Sequence, residues 1–502
     1  MNVFSLLAMS AAHVHSSISC RCVPAGIVRH THIAHPVEGL TALVDVKTKE
    51  VIAIYDKYED MDVPVPEKSW NYLSEHKQFE QRDHLKPINV VQPEGVSFTF
   101  ENGMLKWHDW SLVIGFNNRE ALTLHDMRFA HRPICYRASI AEMVVPYGDP
   151  DPAHARKNVF DIGEIGFGKL THSLALGCDC LGTIQYLDVW LADTDGNPML
   201  IEKAICIHEE DHGLLWKHLS HKDKASEARR ARRLVISSIS TVGNYDYAQY
   251  WYLYLDGEFE YEMKATGINN TCGCVPGKGN EYGLELSPGV FAHIHQHIFC
   301  ARLEMSIDGD ATRVVECDTV SVPLGPENPY GNAFKVQETS VETEGARARA
   351  PEKERFWKFV SGEKTNAMNK PTAYKLEPKD SKAVFHHPEG PAAKRMGFIF
   401  APVWVTPFDD KERFPAGDFV FNSGPDEGLP TFVKQGRSMQ GKDPVVWYNF
   451  GLHHVPRLED WPVQPIVRCG FKMMPTGFFD RNPVIDIAPE TNKASVLANA
   501  MS

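Results

Sequence analysis

Residues 234–255 most restrict the fold of this chain, because two apolar runs there flank a polar, tyrosine-rich segment. The runs are Leu-Val-Ile-Ser-Ser-Ile-Ser at 234–240 and Tyr-Trp-Tyr-Leu-Tyr-Leu at 250–255. Both are typical of buried β-strands, since β-branched and aromatic residues suit a pleated surface. Between them stands Thr-Val-Gly-Asn-Tyr-Asp-Tyr at 241–247. Asn and Asp are depleted in strands, so their presence at this place indicates a functional segment.

The strand pattern continues along the chain. Short runs rich in Val, Ile, Tyr, Phe and Trp, such as residues 110–116 and 403–406, alternate with Gly, Pro, Asn and Asp turns. This predicts a mainly β protein built around a large antiparallel β-sandwich. Residues 338–358 are charged and Ala-rich instead, and they predict a helix or an arm.

Composition excludes several classes of protein. The chain has 502 residues, of which 43% are hydrophobic and 23% charged, as in soluble globular proteins. A net charge of −13 argues against a nucleic-acid partner. The basic run at 229–233 stands just before a strand, which predicts a sheet edge or a subunit contact. No apolar run is long enough to form a transmembrane segment.

Histidines alternate in Phe-Ala-His-Ile-His-Gln-His-Ile-Phe at 291–299. On one strand, His293, His295 and His297 would point to the same side. Imidazole is a suitable ligand for copper, so the pattern predicts a metal site. A surface cluster is the alternative, because the chain contains 23 His. The apolar residues around the three histidines favour the metal.

Several segments resemble the copper-containing amine oxidases. The family pattern Thr-x-x-Asn-Tyr-(Asp/Glu)-Tyr fits residues 241–247, and the run Val-Val-Trp-Tyr-Asn-Phe-Gly-Leu-His-His-Val-Pro-Arg at 445–457 resembles its last copper segment. Further matching islands lie at 141–150, 208–211, 331–334 and 477–483. The resemblance extends from residue 35 to residue 489.

The resemblance implies a copper ion and a topaquinone cofactor. Tyr245 takes the place of the tyrosine that the protein's own copper oxidises to the quinone, the carbonyl electrophile of the reaction, and Asn244 takes the place that orients the ring. His295, His297 and His454 match the copper ligands. The neighbouring His293 and His453 match no ligand, so we expect them beside the site or at the surface.

The resemblance also assigns the proton-accepting base. Val-Phe-Asp-Ile-Gly-Glu at 159–164 matches the family segment in which Asp161 is the base, and an apolar pocket would raise its pKa. The alternatives are that Asp161 only caps a turn before Gly163, or that Glu164 is the base. Tyr147 matches the residue that hydrogen-bonds the quinone. Val159 stands where relatives often carry an aromatic gate, so substrate preference does not transfer.

Two further features follow from the resemblance. It implies a disulfide between Cys180 and Cys206. It also implies a weaker second metal site for Ca²⁺ or another divalent ion at Glu304, Met305 and Asp443, where Glu replaces the usual Asp.

The remaining cysteines and the compartment stay open. The chain has 11 Cys, and Cys272-Gly-Cys274 predicts a loop with two free thiols, with a soft-metal site as the alternative. Asn269-Asn-Thr is a glycosylation sequon only in a secreted protein. The N-terminus lacks a clear signal sequence and the C-terminus lacks a peroxisomal one, so secreted, peroxisomal and cytoplasmic locations all remain open.

We expect four regions along the chain. Residues 1–34 match nothing, and residues 35–90 match the end of a small α/β N-terminal domain. Residues 91–490 form the catalytic β-sandwich, and residues 491–502 are a tail. Relatives carry two small domains before the catalytic one, so the N-terminus is expected to be shortened.

The predicted function is that of a primary-amine oxidase, which converts a primary amine, O₂ and water to an aldehyde, ammonia and hydrogen peroxide. The family implies a homodimer. One alternative is a non-catalytic copper-binding β-sandwich, in which the shortened N-terminus leaves the quinone unformed. Another is a non-quinone metal oxygenase, which would need a carboxylate ligand near His295 and His297.

Overall fold

A computed structural model describes residues 9–10, 16–18, 40–45, 48–56, 80, 82, 84–151, 159–420, 423–489 and 494–498. Antiparallel strands dominate this part of the chain, which confirms the mainly β prediction. No helix in these ranges has the length and apolar character to cross a bilayer.

The strands are numbered in chain order. The first fourteen are β1 Met9–Ser10, β2 Ser16–Ile18, β3 Leu40–Val44, β4 Val51–Asp56, β5 Phe98–Glu101, β6 Met104–Trp107, β7 Trp110–Asn117, β8 Ala121–Phe129, β9 Arg132–Val145, β10 Val159–Phe160, β11 Gln185–Ala192, β12 Pro198–Leu219, β13 Ser226–Val242 and β14 Tyr245–Tyr254. The others are β15 Phe259–Gly267, β16 Thr271–Gly273, β17 Gly283–Ser287, β18 Val290–His293, β19 His295–Met305, β20 Arg313–Ser321, β21 Phe334–Ser340, β22 Gly345–Arg347, β23 Phe356–Thr365, β24 Pro371–Glu377, β25 Val403–Pro407, β26 Pro444–His454 and β27 Gln464–Pro475.

Helical elements are short. The α-helices are α1 Pro391–Arg395 and α2 Leu429–Phe432, and a π-helical turn covers Asp161–Ile165. Single 3₁₀ turns lie at Gly168–Leu170, Pro351–Lys353, Gly397–Phe400, Val433–Gln435 and Leu458–Asp460.

Two ten-stranded antiparallel sheets form the sandwich. The first has the order β22-β25-β26-β19-β9-β8-β7-β6-β5, with β10 paired to β9. The second has the order β11-β12-β13-β14-β15-β27-β24-β23-β20-β21. A small sheet with the order β16-β18-β17 comes between β15 and β19 in the chain. Strands β1-β2-β3-β4 form a separate N-terminal sheet.

Aromatic side chains from both sheets fill the core between them. Phe450 of the first sheet packs edge-on against Tyr261 and Phe471 of the second, with ring centroids 5.8 and 5.5 Å apart. The Trp110 indole N–H of the first sheet donates to the Tyr254 carbonyl of the second over 2.8 Å. Burying each such ring stabilises the fold by about 2–3 kcal/mol, so the two inner faces hold the sheets together.

The four runs that the sequence indicated as strands coincide with observed strands. The runs at 110–116, 234–240 and 403–406 lie within β7, β13 and β25, and the run at 250–255 lies in β14 except for Leu255. Residues 338–358 are not a long helix, because they contain the end of β21, β22, one 3₁₀ turn and the start of β23. Most side chains of residues 338–358 are exposed, which explains the charged composition that indicated a helix or an arm.

The basic run at 229–233 lies on the first half of β13. Its residues pair with β12, and only Arg233 also faces a residue of β14, Tyr254, so among the described strands the other side of β13 is unpaired along 229–232, in agreement with the predicted sheet edge. Three successive carboxylates of β12 each form an ion pair with one arginine of this run. The ion pairs are Arg232 with Glu209, Arg233 with Glu210 and Arg230 with Asp211. These cross-strand pairs neutralise the positive charge within the sheet.

The N-terminal part combines two of the expected regions. Strand β2, from the unmatched residues 1–34, pairs with β3 of the 35–90 region. The described parts of residues 35–90 hold strands and extended chain. The helix that an α/β domain requires would fall outside the described residues, so that part of the prediction remains untested.

Glu209 connects the two sheets through one buried carboxylate. Its oxygens accept hydrogen bonds from the Trp107 indole N–H (2.9 Å) of the first sheet and from the Ser97 amide N–H (2.8 Å) and Gln92 side chain (2.7 Å). Arg232 lies 3.3 Å away.

Replacing Glu209 tests this connection. Glu209→Gln puts an amide NH₂ against buried donors, so we expect the free energy of unfolding to fall by about 1–3 kcal/mol. Urea unfolding followed by tryptophan fluorescence measures it. The control is Glu227→Gln. The Glu227 side chain is 66% exposed, so loss of its ion pair with Arg229 should change the free energy of unfolding little. Equal midpoints for the two variants would contradict the assigned role of Glu209.

Candidate active site

Three buried histidines converge at one end of the sandwich. The ligand nitrogens of His295, His297 and His454 all lie within 4.8 Å of one another, and among the described residues no other His, Cys, Asp and Glu side chains form such a group. Strands β19 and β26 are antiparallel neighbours with His295 directly opposite His454. The start of one strand therefore meets the end of the other, which joins residues far apart in sequence.

Each of these imidazoles has one nitrogen held by a neighbour and one facing the cluster. His295 Nδ1 donates to the His293 carbonyl (2.8 Å), and His297 Nδ1 contacts the Tyr247 hydroxyl (2.9 Å). His454 reverses the arrangement, because its Nε2 contacts the Asp460 carboxylate (2.9 Å). Two Nε2 atoms and one Nδ1 atom remain for a metal, and fixing the outer nitrogen in this way is how proteins orient histidine ligands.

The donor set fits copper. Burial, followed by the charges of the other two histidines, holds the pKa of His295 well below its ordinary value, and burial lowers the pKa of His297 to about 3. Both rings are therefore neutral near pH 7 and offer lone pairs. Three imidazoles without a thiolate suit Cu²⁺ with water as a further ligand.

Asp460 is a site residue that the sequence analysis missed. It is fully buried, and it accepts from His454, from the Arg457 backbone N–H (2.9 Å) and from the Arg457 guanidinium (2.7 Å). The available signal was a carboxylate six residues after a predicted ligand, in a 3₁₀ turn.

Tyr245 faces the histidines from the opposing sheet. It begins β14, is 6% exposed, and its hydroxyl lies 3.2 Å from His295 Nε2, the nitrogen that faces the cluster. The glycine turn between β13 and β14 places it there, with Gly243 at a φ of 63°. The oxidisable ring and the metal-binding nitrogens therefore share one small volume.

Two consecutive asparagines hold the Tyr245 hydroxyl. It donates to Asn269 Oδ1 (3.3 Å) and accepts from the Asn270 backbone N–H (3.1 Å). Asn269 also donates to the Asp460 carbonyl (3.3 Å), so it links the tyrosine to the His454 side of the site. Asn269 is fully buried, which excludes it as a glycosylation site in the folded protein. Sequence analysis had treated it only as a sequon.

Tyr147 packs beside the Tyr245 site through its side chain, whereas the described contact of Asn244 is made by its backbone. Tyr147 stacks on His295 at 4.9 Å between ring centroids, and its hydroxyl accepts from Asn270 Nδ2 at 3.4 Å. Burial raises the pKa of Tyr147 to about 12. Asn244 lies in the turn before Tyr245, and its backbone carbonyl accepts from Ile268 (2.7 Å). Its orienting role remains a prediction.

Asp161 opens the π-helical turn and is 6% exposed. Burial raises its pKa well above the ordinary value, and the negative charges of Glu142 and Glu164 raise it further. Its charge in turn raises the pKa values of Tyr245 and Tyr147, which places it in the same electrostatic environment as the candidate cofactor. A carboxylate of this kind is suited to accept a proton near neutral pH.

Glu164, the competing candidate base, is engaged elsewhere. It forms an ion pair with the buried Arg395 at 2.8 Å. Its second oxygen lies 3.4 Å from the Phe160 backbone N–H, which donates to it. Burial raises the pKa of Glu164 and the Arg395 partner opposes that shift. Both carboxylate oxygens of Glu164 hold contacts within the fold, and the choice of Asp161 over Glu164 as the base remains a prediction.

The two extra histidines lie outside the cluster, but for a different reason than strand alternation predicts. The strand breaks at Ile294, so His293 belongs to β18 and not to the strand of His295 and His297. The His293 ring is buried and faces Asp149 (3.2 Å). His453 is exposed and packs on Phe385 at 4.9 Å.

The cysteine predictions have mixed outcomes. Cys180 and Cys206 lie in one small apolar cluster, where a hydrogen bond between the thiols lowers the pKa of Cys180 and raises that of Cys206. They are neighbours as reduced thiols, and the disulfide remains a prediction. Cys272 and Cys274 are both buried, and Cys272 lies on β16 with its sulfur 3.6 Å from His293 Nε2, so the expected loop with two free thiols remains a prediction.

The residues predicted to hold a second ion make other contacts in the structure. Glu304 pairs with the neighbouring Arg302, and Asp443 accepts from the Ala311 N–H (2.9 Å). Met305 ends β19 and pairs with Cys135. The ion at Glu304, Met305 and Asp443 therefore remains a prediction without a ligand cluster to support it.

Known proteins with a similar sequence and fold agree with this geometry. The family model described as copper amine oxidase, enzyme domain, matches residues 99–494. The chain is 47% identical over 460 residues to a histamine oxidase of Arthrobacter globiformis, covering 90% of this chain and 67% of that protein. It is 44% identical over 467 residues to a primary amine oxidase of Arthrobacter sp. (strain P1), covering 91% and 71%.

A solved structure matches the whole architecture. The crystal structure of a copper-containing benzylamine oxidase from Hansenula polymorpha superposes with a TM-score of 0.87 at 32% identity, covering 95% of this chain and 76% of that chain. Together with a sandwich that joins three histidines to a buried tyrosine, these matches define the class of protein. The chain belongs to the copper amine oxidase family, and it is an oxidoreductase that acts on amines.

Removing the Asp460 carboxylate should weaken copper binding without removing a ligand. For Asp460→Asn we expect a fall in copper affinity of about 10- to 100-fold, because His454 loses the partner that fixes its ring. Competition with a chelator measures the affinity. Asp443→Asn, which changes a remote exposed carboxylate, should bind copper as the wild type does. The same affinity for Asp460→Asn as for the wild type would show that Asp460 does not orient His454.

Proposed function

We propose that this chain carries out the complete primary-amine oxidase reaction, with Tyr245 as the precursor of topaquinone and Asp161 as the base. The overall change consumes a small primary amine, O₂ and water and releases an aldehyde, ammonia and hydrogen peroxide. The observation that carries the proposal is the 3.2 Å contact between the Tyr245 hydroxyl and the cluster-facing nitrogen of His295.

Each residue has one task in this proposal. His295, His297 and His454 hold the copper ion. Once formed from Tyr245, the quinone supplies the carbonyl that takes up the amine and stores its electrons. Asp161 removes a proton from the carbon that bears the amine nitrogen.

The surrounding residues position the ring. Tyr147 and Asn270 offer hydrogen bonds at the ring oxygen, and Asn244 orients the ring from the turn. Burial, followed by the negative charges of Glu142 and Glu164, raises the pKa of Asp161 well above its ordinary value, because each disfavours the carboxylate.

The substrate class and the assembly extend the proposal. The relatives are named for histamine, methylamine and benzylamine oxidation, so these three amines are suitable probes. A homodimer agrees with the family resemblance, and the fully exposed β21 is available at the end of a sheet for a second copy. A divalent ion at Glu304, Met305 and Asp443 has less support.

The non-catalytic copper-binding alternative makes a different prediction about Tyr245. We expect metal-free protein given Cu²⁺ in air to develop a visible quinone band that phenylhydrazine shifts, together with a mass gain on the peptide that contains Tyr245. Amine-dependent release of hydrogen peroxide should follow. Copper binding with an unmodified Tyr245 would support the alternative and contradict the proposal.

Matched tyrosine variants make this test specific. Tyr245→Phe should bind copper but form no quinone and release no peroxide. Tyr250→Phe changes a half-buried tyrosine five residues along the same strand, and it should form the quinone normally. A visible quinone in Tyr245→Phe would overturn the assignment of the precursor.

Loss of the base should separate cofactor formation from turnover. For Asp161→Asn we expect a normal quinone content but a fall in kcat of about 10²- to 10⁴-fold. In the wild type, kcat/KM should decline as the pH falls through the raised pKa of Asp161, because protonation removes the base. Steady-state rates from pH 5 to 9 measure both effects. The control Asp318→Asn, at an ion pair on β20, should retain wild-type rates, and the proposal fails if Asp161→Asn also retains them.

A further inference from the structure

A buried carboxylate on the neighbouring strand accepts a hydrogen bond from the turn that carries Asp161. Glu142 lies on β9 and is fully buried. Its Oε1 accepts the Gly163 backbone N–H at 2.8 Å and the Met143 backbone N–H at 3.1 Å. Gly163 is the middle residue of the π-helical turn, so this bond fixes the turn two residues after Asp161.

Arg119 completes the arrangement. Its guanidinium donates to Glu142 Oε2 at 3.1 Å and to the backbone carbonyls of Asp418 (2.9 Å) and Gly417 (3.2 Å). It also lies over the Phe414 ring at 3.5 Å. The turn, strand β9 and the 414–420 segment are thus joined through one buried ion pair.

Close packing leaves the turn little freedom to move at Gly163. A Cβ atom at this glycine would lie 2.4 Å from Glu142 Oε2, 2.8 Å from Arg119 Nη2 and 2.3 Å from Val420 Cγ2. A shift of the Glu142 carboxylate would therefore be transmitted to the backbone of the turn.

We propose that Glu142 is a positioning residue for the base, holding Asp161 in place through Gly163 and setting the negative charge that Asp161 faces. This inference rests on the proposed role of Asp161 in amine oxidation. Glu142 touches neither the ring of Tyr245 nor the copper ligands through any described contact of its side chain. It acts through the turn and through its charge.

The charges around Asp161 come from several elements. Glu142 on β9 and Glu164 on the turn are the two carboxyl groups whose negative charge raises the pKa of Asp161, and Arg119 and Arg395 are their ion-pair partners. The Asp161 charge in turn raises the pKa values of the Tyr147, Tyr245 and Tyr247 hydroxyls.

The charge of Glu142 affects the ionisation of Asp161. Burial raises the pKa of Glu142 to about 7, against the opposing effect of Arg119. The Glu142 charge raises the pKa of Asp161, after the larger effect of burial.

Two substitutions separate the two parts of the role. In Glu142→Gln the side-chain oxygen can still accept the Gly163 N–H, but the charge is gone. We expect the acid limb of the kcat/KM profile to move to lower pH, because an uncharged neighbour makes Asp161 easier to ionise. In Glu142→Asp the charge remains, but the shorter side chain no longer reaches Gly163.

For Glu142→Asp we expect kcat to fall by about 10- to 100-fold, because a small displacement of the base from its reactive position slows proton transfer. The acid limb of the kcat/KM profile should stay near its wild-type position. All rates are expressed per quinone, titrated with phenylhydrazine. An unmoved acid limb in Glu142→Gln, or full kcat in Glu142→Asp, would overturn the inference.

A control and a measurement independent of activity complete the design. Glu120→Gln removes another buried carboxylate, which pairs with Arg137, and it should leave the acid limb unmoved. In metal-free protein, amide hydrogen exchange at Gly163 should rise about fivefold or more in Glu142→Asp and stay near wild type in Glu142→Gln. If no variant forms a quinone, the proposed function fails. Unchanged exchange in Glu142→Asp would instead refute the positioning role by itself.

Discussion

The pairing of β19 with β26 is the constraint on which the site depends. His295 lies directly opposite His454 in this ladder, and His297 lies opposite Leu452. A slip of one residue in either strand would turn the ligands to the other face. Gly451 supports the register, because a Cβ there would lie 2.0 Å from the His297 carbonyl oxygen. The metal centre is therefore defined by backbone hydrogen bonds before any metal binds.

The second sheet supplies the partner to this centre. Tyr245 begins β14 and points across the core to His295, while Tyr247 on the same face contacts His297. Period-two alternation explains why both tyrosines face inward. Asn269 then bridges the Tyr245 hydroxyl to the Asp460 carbonyl, so the tyrosine and the ligand His454 share one hydrogen-bonded frame.

The local sequence pattern was enough to predict the mainly β fold. The motif resemblance predicted that Tyr245 and three histidines from separate segments share one site, and in the structure these residues lie close together. The errors share a physical origin. A break at Ile294 removed His293 from the histidine strand, and the charged segment 338–358 consists of short strands and a 3₁₀ turn with mostly exposed side chains. Neither the break nor the exposure is a property of local sequence.

The residues that sequence analysis missed all act through tertiary contacts. Asp460, Asn269 and Glu142 are ordinary polar residues in sequence, and each gains its role only when another element covers it. Burial is what makes their hydrogen bonds specific, since an unpaired polar group in that position would be costly. No spacing rule marks such residues in advance.

The histidine cluster and the proposed base Asp161 are held by different kinds of structure. The histidines lie on a continuous ladder, whereas the Asp161 turn is fixed by side chains, chiefly Glu142 with Arg119 and Glu164 with Arg395. Moving a histidine requires a whole strand to shift, but a single substitution can change the surroundings of Asp161. With Asp161 as the proposed base, substitutions around its turn would change its acidity and reach during evolution while the histidine ladder stays the same.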